Sequence, residues 1–165
     1  MLLWTNHVTD EHFGIVDDLK QTGYDGIELF LGEGDTAHYS KLGNHFSNIG
    51  MGVTAVASLA PEENIADPNS KTRAAGLDKL KWSIDMSAAA GVEVMCGPYH
   101  SSFAHFTRQP PTEEERRWSI EMLQKAAEYA QDSNVILAPE ALNRFECYLY
   151  NTMADLKTMV EKVNH

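Results

Sequence analysis

The sequence predicts an α/β protein that consists of the first five β-α units of a (β/α)8 barrel. Five short apolar runs recur along the chain, and a segment with helical periodicity follows each of them. No hairpin signal joins two runs, so we expect parallel strands with right-handed helical crossovers. The 165 residues give units of about 33 residues, and eight such units reach about 264, the usual size of this barrel. Residues 1–165 are therefore interpreted as one partial barrel domain, with an open five-stranded sheet as the alternative.

The predicted strands are short runs rich in aliphatic residues, as expected for a parallel sheet covered on both faces. They are Leu2–Thr5, Gly26–Leu31, Val53–Ala57, Val92–Cys96 and Val135–Ala138. Amphipathic or long polar segments separate them and predict five helices. These helices begin near Thr9, Asp35, Ser70, Thr112 and Thr152. Thr112 and Glu115 are spaced as a capping box, and glycines follow three of the predicted helix ends.

Composition and charge exclude several functional classes. Lys and Arg number 13 and Asp and Glu number 24, so the formal charge is −11, which disfavours nucleic-acid binding. No apolar run approaches the roughly 18 residues of a membrane span, and we expect neither a signal peptide nor a membrane partner. Only two cysteines occur, Cys96 and Cys147, and they indicate a reducing compartment rather than a disulfide scaffold. We therefore expect a cytoplasmic protein.

A carboxylate follows the last predicted strand. Functional groups in parallel sheets and barrels gather at the carboxyl ends of strands, and Glu140 lies at such an end. By the period of two, Glu140 shares a face with Ile136 and Ala138. A carboxylate in this position needs a cation or a proton donor. A divalent metal is one candidate partner, and a simple ion pair with Arg144 is the other.

The segment from Glu140 to Glu146 reads E-A-L-N-R-F-E, and it resembles the E-x-x-N-R-F-E signature of sugar isomerases and epimerases with xylose isomerase-like barrels. Within that group the chain is most similar to the D-tagatose 3-epimerase and D-psicose 3-epimerase family. Weaker similarities occur in the same order along the chain. They are Leu2–Thr5, Gly23–Glu28, Pro68–Asp85 and Gly97–Ser101.

The resemblance implies a metal-dependent reaction on a ketose sugar. Manganese or cobalt, with magnesium as a further candidate, holds two sugar oxygens while two glutamates exchange the C3 proton through an enediolate. By this resemblance Glu140 is the first of these glutamates and also a metal ligand, and Glu146 binds the substrate near its carbonyl. The remaining ligands belong to strands six to eight, which this sequence does not contain. The resemblance thus implies an incomplete site in the isolated chain.

Two histidines are further candidates for substrate binding. His100 follows the fourth predicted strand, and His7 follows the first, so both are expected at the end of the barrel that carries function. A structural role is the alternative for each. Glu28 lies inside the second predicted strand, where an interior hydrogen bond and a functional role are equally consistent with the sequence.

Three hypotheses follow. The first is a ketose 3-epimerase-like protein whose site is incomplete or is completed by another chain. The second is a non-catalytic truncated barrel. The third is the endonuclease branch of the same superfamily, which the acidic charge and the sugar-epimerase signature disfavour. Because an unclosed barrel has two free edges and an uncovered inner face, we expect a homodimer or a higher homo-oligomer.

Overall fold

The structure is a computed structural model that describes all 165 residues, and it alternates helices with short strands. The strands are β1 (Gly26–Phe30), β2 (Gly52–Val56), β3 (Val94–Gly97) and β4 (Ile136–Pro139). The helices are α1 (Phe13–Thr22), α2 (Thr36–Asn48), α3 (Ser70–Ala89), α4 (Glu113–Ala130) and α5 (Met153–Val163). Short 3₁₀ turns occupy Asp10–His12, Pro61–Glu63 and Gln131–Ser133.

The four strands form one sheet in the order β1-β2-β3-β4, and every neighbouring pair is parallel. Each crossover contains one helix, as parallel pairing requires. The α/β class with a parallel sheet is therefore confirmed. The strands of the sheet correspond to the second to fifth predicted strands.

The first predicted strand does not form. Residues Leu2–Thr5 lie in a turn, in which the N–H groups of Trp4 and Thr5 donate to the Met1 carbonyl at 2.9 and 3.2 Å. The Met1 ammonium donates to the Glu28 carbonyl at 2.8 Å, which is the contact of this segment with β1. Leu3 is 91% exposed. The apolar run satisfies its backbone locally, without ladder partners, and β1 is left as an edge strand.

The two faces of the sheet have opposite surroundings. Leu29, Ala55 and Met95 point toward the helices and are almost fully buried in the core. The other face carries Glu28 and Thr54, which are paired in register, and it ends in Ile136, whose side chain is 63% exposed. No element of this chain covers that face, which corresponds to the interior of a closed barrel.

Local signals account for the helix ends. Thr112 and Glu115 form the predicted capping box: the Glu115 N–H donates to Thr112 Oγ1 at 3.2 Å, and the Thr112 N–H donates to Glu115 Oε2 at 2.7 Å. Gly23 ends α1 in the left-handed region, with φ of 108°, where glycine has no steric penalty. None of the five helices combines the length and the apolar character needed to cross a membrane.

Candidate active site

The backbone of Glu140 extends the sheet by one residue beyond β4. Its N–H donates to the Gly97 carbonyl at 2.8 Å, so the position of the residue is fixed by the strand that precedes it in the sheet. Its side chain is exposed, and it takes part in none of the ion pairs of the chain. Arg144 instead lies over the Phe145 ring, 4.7 Å from its centroid. Glu140 is thus an anchored carboxylate without a cationic partner.

The ring of His100 is completely buried behind Glu140. Its Nε2 lies 3.1 Å from the Glu140 carbonyl oxygen, and its Nδ1 lies 3.2 Å from Ser101 Oγ. A carbonyl can only accept, so Nε2 carries the proton and Nδ1 accepts from the hydroxyl. Burial lowers the pKa of His100 to about 4, which keeps the ring neutral near pH 7. The predicted contact between His100 and a substrate remains a prediction, and in this structure the ring has no exposed surface.

The turn after Glu140 is held by Asn143. Its side-chain amide donates to the Glu146 carboxylate, while its Oδ1 accepts from the Phe145 N–H at 2.9 Å. The Glu146 carbonyl in turn accepts from the Ala104 N–H at 2.9 Å, which ties the turn to the loop after β3. The half-buried side chain of Glu146 therefore has a defined direction in the turn after Glu140.

A small polar cluster lies on the uncovered face of the sheet. The Cys96 thiol is 3.1 Å from Glu28 Oε2, and Thr54 Oγ1 is 3.4 Å from the same oxygen. Burial, followed by the hydrogen bond and charge of Glu28 and the charge of Glu140, raises the pKa of Cys96 to about 12. Cys96 is therefore a protonated donor to Glu28 at neutral pH.

His7 lies at the other side of the sheet, next to the loop after β1. Its Nδ1 is 3.8 Å from Glu33 Oε1, and its ring stacks on His38 with centroids 4.9 Å apart. The side chain is 31% exposed. Because β1 and β4 are the two edges of the sheet, His7 does not join the group around Glu140.

The structure thus places His100 against the backbone of Glu140, holds Glu146 in the turn that follows, and leaves His7 apart. Sequence reasoning did not identify Ser119, whose Oγ donates to the His100 carbonyl at 2.6 Å from helix α4. It also did not connect Cys96 to Glu28, 68 positions away. No local signal marks either contact, because both depend on long-range folding.

The side chains of this chain alone do not form a complete metal site. No group of three or more His, Cys, Asp and Glu side chains is placed to hold an ion together. Hard divalent cations take about six oxygen ligands, and Glu140 offers one carboxylate with no competing cation. The carboxylate of Glu140 can therefore supply one ligand to a metal ion, but the side chains of this chain do not hold an ion by themselves.

The four parallel strands, with Glu140 directly after the last of them, place the protein in the α/β class, in which functional groups gather at the carboxyl ends of the strands. The sequence profile of the xylose isomerase-like TIM barrel family matches residues 16–165, and the chain belongs to this family. The ketose 3-epimerase of Arthrobacter globiformis is 22% identical over 164 residues, which make up 99% of this chain and 56% of that protein. The D-psicose 3-epimerase of Agrobacterium fabrum is 24% identical over 162 residues, or 95% of this chain and 56% of that protein.

Solved structures agree on the fold. An L-ribulose 3-epimerase superimposes with a TM-score of 0.91 at 23% identity, covering 98% of this chain and 55% of the other. The D-psicose 3-epimerase of Clostridium cellulolyticum H10, solved with D-tagatose, gives a TM-score of 0.86 at 20% identity over 94% of this chain and 55% of the other. The chain thus spans about half the length of the relatives it matches.

Proposed function

We propose that this chain carries one half of a metal-dependent ketose 3-epimerase site, centred on Glu140. The observation that carries the proposal is an exposed, unpaired carboxylate whose backbone is fixed at the carboxyl end of a barrel strand. The E-x-x-N-R-F-E signature and the ketose 3-epimerases among the relatives support the same assignment.

In this proposal Glu140 removes the C3 proton of a ketose and also contributes one oxygen to the metal. Manganese or cobalt, or else magnesium, supplies polarisation of the substrate carbonyl when it is bound. Glu146, oriented by Asn143, accepts a hydrogen bond from a substrate hydroxyl near the carbonyl. The product of proton removal is an enediolate, which is reprotonated on its opposite face.

Reprotonation and full metal coordination need groups that this chain does not supply. A second carboxylate must lie across the sugar from Glu140, and further ligands must complete the coordination of the ion. We therefore propose that the site works only when additional strands continue the sheet beyond β4. His7 is proposed as a substrate contact only within such a completed barrel.

A non-catalytic truncated barrel is the second candidate function. The uncovered sheet face and a groove of about 500 Å³ along β4, lined mostly by apolar side chains such as Leu137, Met159 and Val163, favour it. In either case we propose a homodimer or a higher homo-oligomer that covers these surfaces. The free thiols of Cys96 and Cys147 fit the reducing environment of the cytoplasm.

The test is an epimerisation assay on a completed barrel. The chain is fused to the part of the Arthrobacter globiformis ketose 3-epimerase that lies beyond the matched region. The fusion is then incubated with Mn²⁺ and D-psicose, D-tagatose or L-ribulose. We expect C3 epimers of at least one ketose by NMR, and none from the same fusion with Glu140→Gln. A folded, manganese-binding fusion that epimerises none of the three sugars would contradict the proposal and favour the non-catalytic barrel.

A further inference from the structure

We propose that His100 is a positioning residue for Glu140, because its ring holds the Glu140 carbonyl and thereby fixes the direction of the Glu140 carboxylate. The inference rests on the proposed function, since it gives His100 a task at the site of Glu140. It differs from a direct contact between His100 and substrate.

The first support is the backbone of Glu140 itself. Its N–H is bonded to the Gly97 carbonyl at 2.8 Å, and its carbonyl is bonded to His100 Nε2 at 3.1 Å. Both peptide groups that flank the Cα atom therefore have partners. Because β4 is an edge strand of this sheet, no further strand supplies the second of these bonds. Without the ring, the Glu140 carbonyl loses this hydrogen-bond partner.

The second support is the way in which the ring is itself held. Ser101 Oγ lies 3.2 Å from Nδ1, and Ser119 Oγ donates to the His100 carbonyl at 2.6 Å from helix α4. The Tyr150 ring packs edge-on against the imidazole, with centroids 5.1 Å apart. The ring cannot turn without leaving a buried donor or acceptor unpaired, which is unfavourable.

The third support is the match between tautomer and partner. Because the carbonyl of Glu140 can only accept a hydrogen bond, the ring must present an N–H at Nε2. The Ser101 hydroxyl selects this tautomer by donating to Nδ1. Ser101 therefore sets the tautomer of the His100 ring, Ser119 holds the His100 backbone, and His100 sets the geometry of Glu140.

Two variants that replace the ring with a side-chain amide distinguish a positioning role of His100 from a role in packing alone. The amide nitrogen of Gln reaches the place of Nε2, whereas that of Asn reaches only the place of Nδ1. His100→Gln is expected to keep the bond to Glu140, and His100→Asn is expected to lose it. Both variants remove the aromatic ring, so a role in packing alone predicts equal effects.

The experiment measures amide hydrogen exchange at Glu140 by NMR in the purified chain. We expect at least tenfold faster exchange in His100→Asn and a change of less than threefold in His100→Gln, with β1 amides unchanged. We also expect Mn²⁺ to broaden the Glu140 region in the Gln variant as in the wild type, and less in the Asn variant. Equal exchange rates in the two variants would overturn the inference.

A measurement on the wild type covers the case in which a variant fails to fold. The ring nitrogens of His100 are observed by NMR at neutral pH, and we expect a slowly exchanging proton on Nε2 with coupling to the Glu140 carbonyl carbon. A proton on Nδ1 would overturn the inference. Neither the exchange rate nor the tautomer depends on metal or sugar. The bond between His100 and Glu140 can therefore be verified even if manganese binding and epimerisation both fail. Failure of those two tests would reject only the proposed function.

Discussion

The thiol of Cys96 donates a hydrogen bond to the carboxylate of Glu28, with 3.1 Å between Sγ and Oε2. The two residues lie on β3 and β1, and Thr54 of β2 lies between them. The contact spans three strands on the uncovered face of the sheet. It places a titratable pair on the surface that would become the interior of a closed barrel.

Cys96 is expected to react slowly with alkylating reagents. Burial and the Glu28 carboxylate raise its pKa to about 12. The loss of thiolate, partly offset by the higher nucleophilicity of a more basic thiol, makes alkylation roughly 50-fold slower than for a free cysteine at pH 8. Because the raised pKa favours the thiol, the rate should rise with pH well beyond pH 9.

Iodoacetamide labelling followed by mass spectrometry checks this expectation. Glu28→Gln removes the negative charge and should accelerate labelling of Cys96 at a given pH. Labelling of the buried Cys147 serves as the internal reference for intact folding. Fast labelling of Cys96 in the folded wild type would show that Glu28 does not keep the Cys96 thiol protonated.

Gly97→Ala is expected to destabilise the fold severely. Gly97 has φ of 131°, and an added Cβ would lie 2.1 Å from the Ala57 carbonyl oxygen. The strained backbone and the clash together should cost about 3 kcal/mol or more of unfolding free energy. Gly91→Ala is the matched control, because Gly91 also has a positive φ, of 71°, but has open space around it.

Urea unfolding of the two variants measures the difference. Gly91→Ala should lose only about 1–2 kcal/mol, the cost of the backbone conformation. Equal losses of unfolding free energy in the two variants would mean that the loop after β3 can adjust. The close approach of β2 and β3 would then not fix the position of that loop.

Asn143 and Glu146 are expected to be energetically coupled. The side-chain bond between them holds the turn after Glu140. A double-mutant cycle of Asn143→Ala and Glu146→Ala should give a coupling of about 1 kcal/mol in unfolding free energy. Additive losses would contradict an ordered Glu146 and weaken its proposed role in substrate binding.

The protein is expected to associate through the uncovered face and the free edge of β4. Ile136 is 63% exposed there, beside the groove that contains Leu137 and Val163. Light scattering should give at least twice the chain mass of 18.4 kDa, and Ile136→Glu should shift the mass toward that of the monomer. Met153→Glu is the control, since Met153 is 74% exposed at the start of α5. A monomeric wild type would exclude self-association.

The sequence was sufficient for elements whose signals are local. The capping box of Thr112 and Glu115 depends on neighbouring residues, so the start of α4 was predicted correctly. The helix predicted to begin near Thr9 opens instead with a 3₁₀ turn, and α1 begins at Phe13. The run Leu2–Thr5 shows the limit of such signals. Apolar residues favour a strand only where ladder partners exist, and here the backbone closes a turn instead.

The residues of the site likewise divide into those predicted from local signals and those that depend on long-range contacts. Glu140 was located from its position after an apolar strand and from its motif, both of which are local. The burial of His100 depends on Ser119 and Tyr150, 19 and 50 positions later in the chain, and on the carbonyl of Glu140. No spacing rule connects these residues, so the sequence left open whether His100 faces substrate or the core.

A manganese titration of the purified chain tests the central claim, that Glu140 is a metal ligand, most directly. Paramagnetic broadening of NMR signals, with calorimetry for stoichiometry, detects even a weak site. We expect weak broadening centred on Glu140 and Gly97 that is lost in Glu140→Gln. It should be retained in Glu121→Gln, which changes an exposed carboxylate on α4. Equal broadening in the wild type and in Glu140→Gln would contradict the account.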